Sequence, residues 1–149
     1  MTPDSVSDFL AIQRLAIFYA HCADTKRFRE QAELFTPDGV WNASEVMLGR
    51  HQGPAAIEKV YTELGAHRAA RSAHLILNHL IDIDGDRATG ILYNSSETHM
   101  QNGSLRFGVT LVKDTYARTD DGWKFEYRKL LPLLPPRMDP PDAAHLTHA

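Results

Sequence analysis

The chain has 149 residues, 43% of them hydrophobic and 23% charged, with a formal net charge of -3. That describes one globular domain, residues 1–149, long enough to bury a sizeable core. The acidic balance and the lack of a Lys/Arg cluster argue against nucleic acid as a partner, and apolar runs of only a few residues argue against a membrane span.

The opening MTPDSVSDFL has neither a basic nor an apolar region, so it does not read as a signal peptide. Asp4, Ser5 and Ser7 each offer an N-cap oxygen for a first helix. From there Leu10, Ile12, Leu15, Ala16, Tyr19, Ala20 and Ala23 recur at three- and four-residue spacing, which predicts one apolar face. The lone Cys22 cannot form an internal disulfide and fits a reducing compartment, so the cytoplasm is the expected location. Asp24 follows Tyr19 by five residues, about 140° further round an ideal helix.

Thr25 to Leu34 predicts a short second helix with Phe28, Ala32 and Leu34 inward. Thr36-Pro37-Asp38-Gly39 has turn chemistry, and Val40 and Trp41 open a strand. Pro54 suits a first helical position, with Ile57, Val60, Tyr61 and Leu64 forming the stripe of a third helix. Ala66 to Ser72 is polar and basic and reads as a loop. The period then changes to two. His74–Ile83, Arg87–His99, Leu105–Arg118 and Trp123–Leu134 are four predicted strands separated by three turns, an antiparallel meander. Residues 132–149 hold five of the eight prolines and form a tail that cannot continue a central strand. The layout is α+β: a curved sheet with helices on one side.

Walked with period two, His74, Ile76, Asn78, Leu80 and Asp82 share one strand face, while His79 is placed on the other. A face mixing polar and aliphatic groups suits a partly polar pocket. A carboxylate bonded to one imidazole nitrogen fixes the tautomer and makes the other nitrogen a usable base. Asp24 is the acid best suited to partner His74, because Asp38, Asp84, Asp86, Asp120 and Asp121 fall in turns. There is no GxSxG, no Gly-rich phosphate loop and no HExxH or paired Cys, so neither a nucleophile nor a metal is expected.

AIQRLAIFYAHCADTKRFREQAELFTPDGVW, GRHQGPAAI, HLILNHLIDIDGDRATG and YARTDDGWKFEYRKL together resemble the SnoaL-like branch of the NTF2-like superfamily, over about residues 9 to 131. The resemblance implies an NTF2-like conical barrel, with a curved mixed or antiparallel sheet on N-terminal helices around a deep apolar pocket. It implies an Asp–His dyad, Asp24 orienting His74, as in bile acid 7α-dehydratase, scytalone dehydratase and hexachlorocyclohexane dehydrochlorinase. Tyr19 matches a pocket Tyr of the bile acid enzyme by its spacing and His99 lies where a further polar site residue is found, so the resemblance implies that one or the other helps a leaving hydroxide depart or stabilises an enolate; Arg118 is similar to an Arg of the dehydrochlorinase. Trp41, Asn78, Tyr93, Arg118 and Tyr127 complete the expected substrate-contacting set, although Trp41 taken by itself reads as core and Tyr93 and Tyr127 equally suit packing. The implied activity is a cofactor-free lyase of the dehydratase type, or an isomerase, acting on a small hydrophobic hydroxylated or polycyclic molecule. The alternatives are a polyketide or terpenoid cyclase, an epoxide hydrolase, a ligand-binding module or a dioxygenase small-subunit-like protein. A homodimer or homotrimer is the expected assembly.

Overall fold

The computed structural model describes residues 3–141, so the end of the Pro-rich tail, with His145 and His148, lies outside the described residues. Helix α1 (Pro3–Asp24) buries Ile12, Leu15, Ala16, Ala20 and Cys22 on one side. Leu10, counted on that face from its spacing, is instead 57% exposed. The helix stops just past Asp24, where Lys26 takes a left-handed φ of 59° and the Arg27 N–H returns to the Cys22 carbonyl at 2.8 Å.

Helix α2 (Phe28–Glu33) leads into β1 (Phe35–Ala43). The turn expected at Thr36–Gly39 is absorbed into β1 as an irregularity of its pairing between Phe35 and Val40. Gly39 permits this, since a Cβ there would stand 2.9 Å from the Phe125 carbonyl. After β2 (Gly49–Gln52) comes α3 (Pro54–Thr62), which starts on proline as expected. The chain then winds through one π-helical turn, Glu63–Arg68, rather than a loop, and enters β3 (Ala69–Asp84) five residues earlier than the alternation alone indicates.

The meander β3, β4 (Arg87–Met100), β5 (Leu105–Thr119) and β6 (Gly122–Pro132) is antiparallel throughout. β1 joins β6 in parallel, so the sheet is mixed, in the order β2-β1-β6-β5-β4-β3. β2 and β3 are its two edges, so the curved sheet does not close into a barrel. A short β7 (Arg137–Asp139) from the tail pairs with β5. The core lies between the concave face and the helices, around Ile12, Phe35, Trp41, Ile57, Tyr116 and Phe125. Each such side chain contributes roughly 1.5–3 kcal/mol on burial. Among the described residues no helix is long and apolar enough to cross a membrane.

Two bulges decide which side chains face inward. In β3 the register slips between Leu77 and Leu80, where Asn78 adopts a φ of 50°, a conformation asparagine tolerates better than most residues. Before the bulge Ser72, His74 and Ile76 face the concave side. After it His79, Ile81 and Ile83 do, and Leu80 is 69% exposed. The expectation that His79 faces away from His74, and that Asn78, Leu80 and Asp82 share the His74 face, fails at this one residue. In β6 the register slips at Glu126, so Phe125 and Arg128 both point inward and Tyr127 points out.

Candidate active site

The helices and the concave face enclose a cavity of about 740 Å³. Its deep end is apolar and aromatic, with Tyr19, Trp41, Tyr61, Leu92, Val112 and Leu130 on its wall. A volume of this size suits a small organic molecule.

His74 lies on this wall, and Asp24 reaches it from the end of α1. The Asp24 carboxylate accepts three hydrogen bonds: from the His74 ring Nδ1 at 2.6 Å, the His74 backbone N–H at 2.9 Å and the Ser72 hydroxyl at 3.0 Å. The backbone bond follows from topology. β3 is an edge strand, so its outward N–H groups lack a ladder partner, and the carboxylate supplies one. Burial alone would raise the Asp24 carboxyl, but the bonds from the His74 ring and backbone, the His74 charge and Ser72 outweigh it and hold the group below its ordinary value. With Nδ1 given to Asp24, the His74 Nε2 is left to accept a proton. A smaller groove opens behind the pair between Ile17, His21 and Leu75, so His74 borders both spaces.

A second polar cluster underlies the deep end. Arg128 grips Asp114 through Nε and Nη2, each at 2.9 Å, and both side chains are almost wholly buried. Tyr116 donates to the same carboxylate at 2.8 Å and meets the His79 ring at 3.2 Å. Gly90 makes room for this contact, since a Cβ there would lie 2.8 Å from the Tyr116 hydroxyl. The Arg128 guanidinium stacks on Tyr19, 4.1 Å from the ring centre, and on Phe125 at 4.2 Å. Tyr19 and Tyr61 share a hydroxyl–hydroxyl bond of 2.9 Å. Burial pushes both phenols up, and Arg128 offsets part of this, so both remain protonated hydrogen-bond donors at neutral pH. Among the described residues, the buried Trp41 Nε1 and Asn94 Oδ1 have no hydrogen-bond partner.

Of the residues singled out in the sequence, His74, Tyr19 and Trp41 line this cavity, and Asp24 holds His74 from the groove behind it. The others do not line it. His99 is exposed on the convex side with its Nε2 on Glu97 at 2.7 Å, because β4 turns its even-numbered residues inward. Tyr93 shares that outer face and is 37% exposed. Asn78 is exposed at the bulge, and Tyr127 accepts from Asn42 at 2.7 Å on the far side of the sheet. Arg118 binds Asp8 bidentately and Asp86, and stacks on Trp123 at 4.7 Å, tying α1 to the closed end of the meander. Arg128 and Asp114 have no place in the sequence reading of the site, and Tyr61 and Asn94 enter it only as a helix-stripe and a strand residue. A buried arginine shows in sequence only through a strand's period, and the β6 bulge breaks that period at Glu126.

Residues 4–129 match the family model described as a SnoaL-like domain, and the chain belongs to this family of the NTF2-like superfamily. An uncharacterised Mycobacterium tuberculosis protein is 29% identical over 123 residues, 80% of this chain and 81% of its own length. Among solved structures, a Novosphingobium aromaticivorans protein proposed to be an aromatic ring hydroxylase superposes with a TM-score of 0.86 at 28% identity, over 93% of this chain and 96% of that one. A proposed scytalone dehydratase from the same organism gives 0.83 at 21% identity, over 92% and 91%. The hexachlorocyclohexane dehydrochlorinase LinA-type3 of Novosphingobium barchaimii gives 0.79 at 19%, over 90% and 92%. At such identities the last two likenesses speak to the fold.

Proposed function

We propose that the protein is a cofactor-independent lyase that removes a proton from carbon and expels a leaving group, with His74 as the base and Asp24 as its orienting partner. The observation that carries this is the 2.6 Å Asp24–His74 contact at the wall of an apolar cavity. Asp24 holds the Nδ1 proton, so the Nε2 lone pair takes the substrate C–H proton. The C–H electron pair becomes the new double bond, and hydroxide or halide leaves from the neighbouring carbon. The carboxylate stabilises the imidazolium that forms. The protonated Tyr19–Tyr61 pair serves a departing oxygen, the role that the exposed His99 is too distant to play. An isomerase would use the same first step and return the proton elsewhere. The dehydratase and dehydrochlorinase among the structural relatives support an elimination.

The test is a screen of hydroxylated and halogenated alicyclic and aromatic compounds, with mass detection of the loss of water or hydrogen halide. A substrate found this way should lose turnover by about 10²–10⁴-fold in His74→Ala while still binding. Undiminished turnover in that variant would remove His74 as the base. Uptake with no turnover of any compound would make the protein a binding module. We also propose that the protein acts as a homo-oligomer in the cytoplasm, joined through the exposed apolar band of Leu75, Leu77, Leu80, Ile91 and Tyr93 on the outer sheet face. A monomeric mass by light scattering would contradict this.

A further inference from the structure

The register of the sheet lays out the concave floor around His74 as a grid. His74 stands opposite Ser96, and Ser96 opposite Gly108. One two-residue step toward the open end, Ser72 stands opposite Thr98, and Thr98 opposite Arg106. All of these line the cavity. With strands about 4.8 Å apart and a step of about 6.8 Å, the Arg106 backbone is roughly 12 Å from that of His74.

Two features of the grid are unexplained by folding. Gly108 has an ordinary negative or extended φ, and a Cβ added there would meet only the Ser96 hydroxyl, at 3.6 Å. Neither backbone strain nor packing demands glycine, so what its missing side chain provides is cavity space across from His74. Arg106, at the open end, has no carboxylate within ion-pair distance among the described residues. Arg68 lines the same cavity from the end of the π-helical turn, held only loosely by the exposed Glu63 at 3.5 Å. One cation without a carboxylate and another loosely paired, beside an apolar chamber and next to a floor kept clear in front of a base, point to a ligand with two unlike ends.

We infer that the cavity takes an amphiphile whose apolar body lies on the Ser96–Gly108 floor facing His74 and whose terminal oxyanion, a carboxylate or a phosphate, is held at the open end by Arg106 with Arg68. This rests on the proposed function for the placing of the reacting carbon near His74, and adds the substrate class. Arginine forms charge-assisted bonds with such anions, and a partly enclosed site weakens their screening by water.

The probes are decanoate, decyl phosphate and 1-decanol, each below its aggregation concentration. Binding is read from the fluorescence of Trp41 on the cavity wall. Both anions should bind about tenfold or more tighter than the alcohol, with the gap narrowing as salt rises. The tighter anion identifies the headgroup. The double variant Arg68→Gln/Arg106→Gln should retain decanol binding and lose the anion preference, while Gly108→Leu should lose uptake of all three. His74→Ala should keep the preference, so a preference without turnover of any compound would remove the lyase reading and leave this one standing. Equal binding of alcohol and anions, an unchanged preference in the double variant, or no uptake of any probe by the wild type would overturn the inference.

Discussion

Asp24 with His74 and Asp114 with Arg128 are both acid–base pairs whose basic member lines one cavity, yet their surroundings set them different tasks. The Asp24–His74 side chains are 25% and 27% exposed; His74 borders both the main cavity and an outer groove, and Asp24 the groove. The His74 imidazole gives Nδ1 to Asp24 and keeps Nε2 for proton exchange. The Asp114–Arg128 pair is sealed, with 0% and 2% exposure, and its guanidinium is charged at any working pH. It cannot move a proton; it can hold aromatic rings and present a fixed positive field below Tyr19. Burial thus separates a pair suited to chemistry from a pair suited to scaffolding, although both contain an aspartate within about 3 Å of a nitrogen.

The contrast can be broken most forcefully at its sealed end. Asp114→Ala leaves Arg128 charged, buried and unpaired, and should cost about 3–5 kcal/mol. At roughly 2–4 °C per kcal/mol for a chain of this size, the thermal midpoint should fall by about 6–20 °C. A shift of only a degree or two would show that water reaches Arg128. At the open end, Asp24→Asn should leave the circular dichroism spectrum native while lowering kcat on an identified substrate by about 10²-fold. Full activity in that variant would reduce Asp24 to a partner for the edge strand. Tyr19→Phe keeps the ring on Arg128 and removes the hydroxyl bonded to Tyr61, so stability should change by only about 1 kcal/mol. A fall in kcat with little change in KM would assign Tyr19 to the leaving group, and an unchanged kcat would assign it to packing.

Acid titration sharpens the comparison more gently. Asp24 is held below its ordinary value, so its stabilising contribution is complete above the usual carboxylate range and is lost as pH falls through the folded-state value. His79 is lowered too, chiefly by burial, with Asp114 opposing the shift and Arg128 adding to it. Its neutral form is favoured in the fold, so stability should decline as pH drops below about 6.5, the ordinary histidine value. His79→Gln should flatten that part of a pH series of denaturant midpoints, and an unaltered slope would place the titration elsewhere. The smallest effect is expected at Arg118. Arg118 is 39% exposed and Asp86 83%, and the more sheltered Asp8 keeps its bond from Trp123, so Arg118→Gln should leave turnover unchanged and lower the thermal midpoint by only a few degrees.

How far the site was legible follows the same division. Asp24 and His74 could be paired from the chain alone because each sits at an element whose period is unbroken up to that point. Asn78 and Tyr127 were misplaced because each follows or forms a bulge, and a single inserted residue moves every later side chain to the other face. His99 and Tyr93 were misplaced for a different reason. The strand was recognised, but alternation does not say which of its two faces is concave.

Periodicity, turn chemistry and the resemblance were enough for the order of elements, the antiparallel meander and the Asp24–His74 pairing, because these depend on local spacing and on a few distinctive residues. The open edge that gives Asp24 a second role, the bulges that turn His79 and Arg128 inward, and the burial of Asp114 against Arg128 came from the assembled sheet. They depend on curvature, pairing partners and the exclusion of water, all of which arise only when residues distant in the chain are packed together.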